Sequence, residues 1–250
     1  MYYYIMEPAG KKNSVWQEKV KDILGDLGIA GETVVPSSAR TIEELTTLGL
    51  VKGYSTIVAV GSEKIVNKIV DCIVNQKEVK DVVLGIIPED YESVMAKKIR
   101  VKDIREACNT LKQRKLETAD VCLIEPNKYF LTEAVISSSR ARDAYLITPE
   151  IKAGVVFNEI IIRPGLEIKI IDNSFSDSKK GLLGWIFNKK ADERGTSSFH
   201  GTYAKIEALD GGAPVKVENE IIAKTPIVCY NRPKALKIIS SRDTINPYSN

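Results

Sequence analysis

Apolar residues along this chain follow two different rhythms. In the first part, short β-branched runs alternate with stretches whose apolar positions recur at helical spacing. The clearest unit is Tyr54–Asn75. Ser55-Thr56-Ile57-Val58-Ala59-Val60 reads as a buried parallel strand, and Gly61 ends it. Ser62 and Glu63 stand at the start of a helix whose Ile65, Val66, Ile69, Val70 and Ile73 make one apolar face. A turn of this kind aims backbone N–H groups and a helix N-terminus at whatever binds above the sheet, often a phosphate.

The same pattern brackets this unit. Tyr2–Met6 predicts a first strand, closed by Glu7-Pro8-Ala9-Gly10. A helix follows, capped at Asn13 or Ser14, with Val15, Trp16, Val20, Ile23, Leu24 and Leu27 as its stripe and Gly28 at its stop. Thr33–Val35 predicts a strand, Thr41–Leu50 a helix, and Asp81–Ile87 a strand ending at Pro88. Tyr91–Ile99 and Val101–Leu111 both read as helices. Strands alternating with helices predict a parallel sheet with right-handed crossovers. Ligands of such sheets bind beyond the carboxyl ends of the strands, which points to Glu7–Gly10, Gly61–Lys64 and Pro88–Tyr91.

After about Leu116 helical spacing gives way to strand patterns. Val121–Ile124, Tyr129–Ile136, Val155–Ile162, Leu166–Ile171, Thr202–Leu209, Pro214–Val217, Pro226–Tyr230 and Ala235–Ile239 all read as strands between turn residues. This predicts an antiparallel sandwich or barrel. The expected division is an α/β domain over residues 1–116 and a β-domain over 117–250, with the terminal segment packing back on the first. Asn173–Thr196 reads as a long polar loop around an apolar island.

Composition narrows the chemistry. The chain has 250 residues, and a net charge of +3 gives no argument for nucleic acid. No RNP-like or zinc-finger spacing supplies one either. Cys72, Cys108, Cys122 and Cys229 are widely spaced and His200 stands alone, so a structural zinc site is not expected. Four thiols in apolar segments read as reduced core residues. The N-terminus shows no signal-peptide pattern, and no run of about 18 apolar residues occurs. These features lead us to expect a cytoplasmic protein, with peripheral membrane contact left open.

The ordering of the turns resembles the diacylglycerol kinase catalytic family, which includes bacterial lipid kinases and sphingosine kinases and is distantly similar to NAD kinase. Met6-Glu7-Pro8-Ala9-Gly10 stands where that family has Asn-Pro-x-(Ser/Ala)-Gly. Ile57–Asn67 stands where it has an apolar strand, Gly-Gly-Asp-Gly-Thr, and a helix with an asparagine. Leu84-Gly85-Ile86-Ile87-Pro88 resembles its next strand, and Pro214–Glu220 its strand ending in Asp-Gly-Glu. Pro226-Ile227-Val228 and Pro233–Ile239 continue the match.

The resemblance implies a Rossmann-like nucleotide domain followed by a β-sandwich, with the active site between them and ATP and magnesium as cofactors. It places Pro8, Gly10, Gly61, Ser62, Glu63, Lys64 and Asn67 at the nucleotide, and Glu218 and Glu220 at the catalytic position. No metal ligand is assigned.

The departures bear on chemistry. Gly61 remains, but Ser62, Glu63, Lys64 and Ile65 replace the rest of the glycine turn. Glu89-Asp90-Tyr91-Glu92-Ser93 replaces Leu-Gly-Thr-Gly-Asn and adds negative charge that opposes a triphosphate unless cations neutralise it. Glu63 can stand in for the family's aspartate, or simply favour a helix start through the macrodipole. Lys64 can hold a phosphate or be a solvated lysine, and Asn67 can match the family or be an exposed helix residue.

Glu218 and Glu220, alternating to one face of a strand with Asn219 on the other, can serve as general base or magnesium ligand. Equally, they can border a solvated turn. Glu89, Asp90 and Glu92 read as an ion-gathering loop or a helix start, and Arg140 and Arg142 as cleft or surface charges. Lys179–Lys190 places Leu182, Leu183, Trp185, Ile186 and Phe187 between lysine pairs. That arrangement suits a membrane surface, a partner, or a hairpin tip folded on its own domain.

Two functions follow. One is an ATP-dependent kinase of a lipid hydroxyl. The other, favoured by the altered phosphate turns, is a member with lost or weakened catalysis that keeps the scaffold for a nucleotide, lipid or partner.

Overall fold

A computed structural model describes residues 1–8, 14–76, 81–173 and 195–241. The chain resolves into two compact units, one from Met1 to Ala119 with the chain from Lys234 onward, the other from Asp120 to Pro233.

The first unit has strands β1 (Tyr2–Met6), β2 (Glu32–Val34), β3 (Thr56–Gly61) and β4 (Val83–Pro88). Helices α1 (Ser14–Asp26), α2 (Ile42–Val51), α3 (Glu63–Asn75), α4 (Val94–Ile99) and α5 (Ile104–Gln113) lie between or after them. All strand pairings are parallel, in the order β2-β1-β3-β4, and Lys237 and Ile238 add a further parallel strand beside β4. Every residue of β3 and β4 is buried, as their unbroken apolar runs require when helices cover both faces.

Strand alternation sends neighbouring side chains to opposite layers. Gly49 of α2 packs against Tyr3 and Ile57, while Gly85 leaves room for Leu111 of α5 beside Val58. Tyr4 donates its hydroxyl proton to the Ile29 carbonyl at 2.6 Å.

The second unit is antiparallel. Its strands are β5 (Leu116–Ile124), β6 (Lys128–Phe130), β7 (Ala134–Ile147), β8 (Lys152–Arg163), β9 (Glu167–Ile171), β10 (Thr196–His200), β11 (Tyr203–Ala208), β12 (Pro214–Val217), β13 (Glu220–Lys224) and β14 (Ile227–Ile239), the first and last shared with the other unit. The long β7–β8 hairpin is its spine, with a register shift between Ser137 and Arg142. β12 pairs with the start of β7 and β11 with its end. Phe130, Ile136, Leu146, Phe157, Ile160, Ile206 and Cys229 are fully or almost fully buried in its core.

Several expectations shift. Helix α4 starts at Val94 rather than Tyr91, because Ser93 caps it by accepting the Ala96 N–H at 3.1 Å. Helix α5 starts at Ile104 behind the cap Asp103 and ends at left-handed Arg114. The expected strand Tyr129–Ile136 is split by Leu131–Glu133, and β7 runs on to Ile147 through polar residues that hid it. The two expected terminal strands are one, and Pro233 sits at an exposed position within it. β10 and β13 were not anticipated.

Gly49→Ala gains up to about 1 kcal/mol of helix propensity, yet its Cβ would meet the Tyr3 ring at 2.6 Å and Ile57 at 2.9 Å. Overpacking of this kind costs about 1–3 kcal/mol. Urea denaturation should therefore show a net loss of stability.

Candidate functional site

The carboxyl ends of β1, β3 and β4 meet at a small set of backbone groups. The Glu7 N–H donates to the Val60 carbonyl at 2.9 Å, and the Glu89 N–H to the Gly61 carbonyl at 3.1 Å. Parallel pairing brings Met6 beside Val60, so the next residues, Glu7 and Gly61, lie side by side. Gly61 has φ +143°, a left-handed conformation that favours glycine. A Cβ there would meet Glu7 Cβ at 2.7 Å and Glu7 Oε2 at 2.5 Å. Glycine at 61 is thus required by the close approach of Glu7.

Ser62 is the N-cap of α3, with φ −72° and ψ 167°, but its hydroxyl makes no capping bond. Instead the Ser62 N–H donates to Glu7 Oε2 at 2.7 Å, and Ser62 Oγ is buried with no hydrogen-bond partner among the described residues. Gln17 of α1 donates from Nε2 to the Glu7 carbonyl at 2.6 Å, which fixes the residue from its other side. Charge-assisted bonds to an N-terminal N–H are among the stronger ones in proteins.

Glu63 performs the same service one helix further on. Its Oε1 accepts the Met95 N–H at 2.7 Å, in the first turn of α4. Two orphan N–H groups at the carboxyl edge of the sheet are therefore satisfied by the chain's own carboxylates.

The segment after β4 is organised as a helix entry. Asp90 Oδ1 accepts the Glu92 N–H at 2.9 Å, and Glu92 pairs with Lys97 at 3.4 Å on the exposed side. The Tyr91 hydroxyl is buried, and burial pushes its pKa up to about 12, opposed by the neighbouring Trp16 indole. The Trp16 N–H and the Tyr91 oxygen both lack a partner of hydrogen-bonding geometry among the described residues.

Of the other expected site residues, Pro8 is exposed at the end of β1 and Gly10 lies outside the described residues. Lys64 is half-buried in the first turn of α3. Asn67 is 6% exposed, which corrects the alternative of a solvated helix residue.

Glu218 and Glu220 belong to the second unit, and of the two arrangements open to them the structure corrects the strand face in favour of the turn. Val217 pairs with Glu220, and between them Glu218 (φ 49°) and Asn219 (φ 64°) form a two-residue turn. Two consecutive left-handed residues define a type I′ hairpin, so the acids do not alternate along one strand face. Glu218 Oε1 accepts the Thr132 hydroxyl at 2.9 Å, and Thr132 is itself buried. Leu182, Trp185 and Phe187, with the rest of Lys179–Lys190, lie outside the described residues.

Comparison with solved structures gives the architecture a name. A crystal structure described as a diacylglycerol kinase from Bacillus anthracis str. Sterne superposes with TM-score 0.76 at 12% identity, covering 98% of each chain. Another from the same organism, described as a candidate diacylglycerol kinase, gives 0.77 with the same identity and coverage. The fold is the diacylglycerol kinase fold. No family model matches the chain, and no curated protein matches it by sequence.

On this fold, the fit of a nucleotide phosphate with its metal can be tested at the turn itself. The Ser62 and Met95 amides already hold carboxylates, and Glu89 and Asp90 add further acids. Among the described residues no three metal-capable side chains gather. The carboxylates at this turn oppose the charge of a triphosphate.

Glu7 lies in one of the turns that the sequence points to, but its role as the partner of the Ser62 amide is not legible there. It precedes Pro8, where the resembled family has asparagine, and strand pairing sets it beside Gly61.

Replacing Glu63 by alanine should remove the cap from Met95 and lower stability by about 0.5–2 kcal/mol, with Glu63→Gln retaining most of it. The midpoint of chemical denaturation measures this, and an unchanged midpoint for Glu63→Ala would remove the capping role.

Proposed function

We propose that this chain is a lipid-kinase-fold protein that has given up phosphoryl transfer and serves as a binding scaffold. The observation that carries this reading is the Glu7 carboxylate on the Ser62 N–H at 2.7 Å. Phosphoryl transfer depends mainly on positioning and on neutralising phosphate charge. Here the backbone group best placed to meet a phosphate is held by an anion of the same sign.

The magnitudes favour exclusion. A helix N-terminus stabilises an anion by about 0.3–1 kcal/mol, and up to about 2 in partly buried geometry. A like charge at about 4 Å opposes it by about 4 kcal/mol at an effective dielectric of about 20. A phosphate at the Ser62 amide would face this repulsion and gain little from an N–H that is already bonded.

The hydrogen-bonded roles of Glu63 as a helix cap and Glu218 as a turn residue also support a structural use for acids that the resemblance would make catalytic. Lipid or partner binding then falls to surfaces other than the phosphate turn.

Incubating the pure chain with labelled ATP, magnesium and mixed lipids should give no phospholipid above background. Its melting temperature should be unmoved by millimolar Mg-ATP. A ligand present at 100 times its dissociation constant would instead stabilise the native state by about 2.7 kcal/mol. Phospholipid formation that is lost in Glu63→Gln would establish the kinase reading in its place.

A further inference from the structure

We draw no further inference here: the strongest candidate, the outward sheet face of the second unit on which Tyr145, Ile147, Tyr203, Val228 and Tyr230 lie side by side and half-buried, carries none, because nothing in the structure shows what covers it.

Discussion

The carboxyl edge of the first unit depends on the contact between the Glu7 carboxylate and the Ser62 amide. That bond ties the end of β1 to the start of α3, and its geometry dictates what surrounds it. Glu7 approaches so closely that residue 61 must be glycine, and the positive φ of Gly61 in turn aims the Ser62 N–H at the carboxylate. Gln17 holds Glu7 from α1, while the Gly61 carbonyl accepts from Glu89. Three strand ends and two helices are therefore linked through a few polar atoms at the place where an open parallel sheet ordinarily receives its ligand.

A second carboxylate extends the pattern. Glu63 leaves the first turn of α3 to cap α4 through Met95, so one N–H at the start of each of these two helices is held by a carboxylate of the chain. Each of these N–H groups is thus used to hold the chain to itself. Tyr91 differs, with its hydroxyl buried beside Trp16 and without a hydrogen-bond partner among the described residues, and burial raises the pKa of the phenol.

Much of the parallel unit was legible in the sequence, because a buried strand and an amphipathic helix have distinct periods. Thr56–Gly61 and Glu63–Asn75 fall almost where hydrophobic spacing places them. The β-unit was read less well. β7 runs through Ser137–Asp143, and solvated strand residues carry no apolar signal. At Glu218-Asn219 strand and turn stay open in the sequence, because a left-handed Glu has no sequence signature, although Asn219 is a favoured turn residue. At the site, residue types were legible and bonding was not. Glu63 was seen as a helix-start acid, but its partner lies 32 positions away in sequence. Glu7 was visible in the motif, yet only strand register shows that it reaches the Ser62 amide.

The amide of Ser62 reports the central claim directly. In a two-dimensional ¹H–¹⁵N spectrum, Mg-ATP at millimolar concentration should leave the Ser62 and Met95 resonances in place in the native chain, because carboxylates already hold both N–H groups. A saturable displacement of the Ser62 resonance by Mg-ATP, with Glu7 unaltered, would show that the turn still receives a phosphate and would contradict the account.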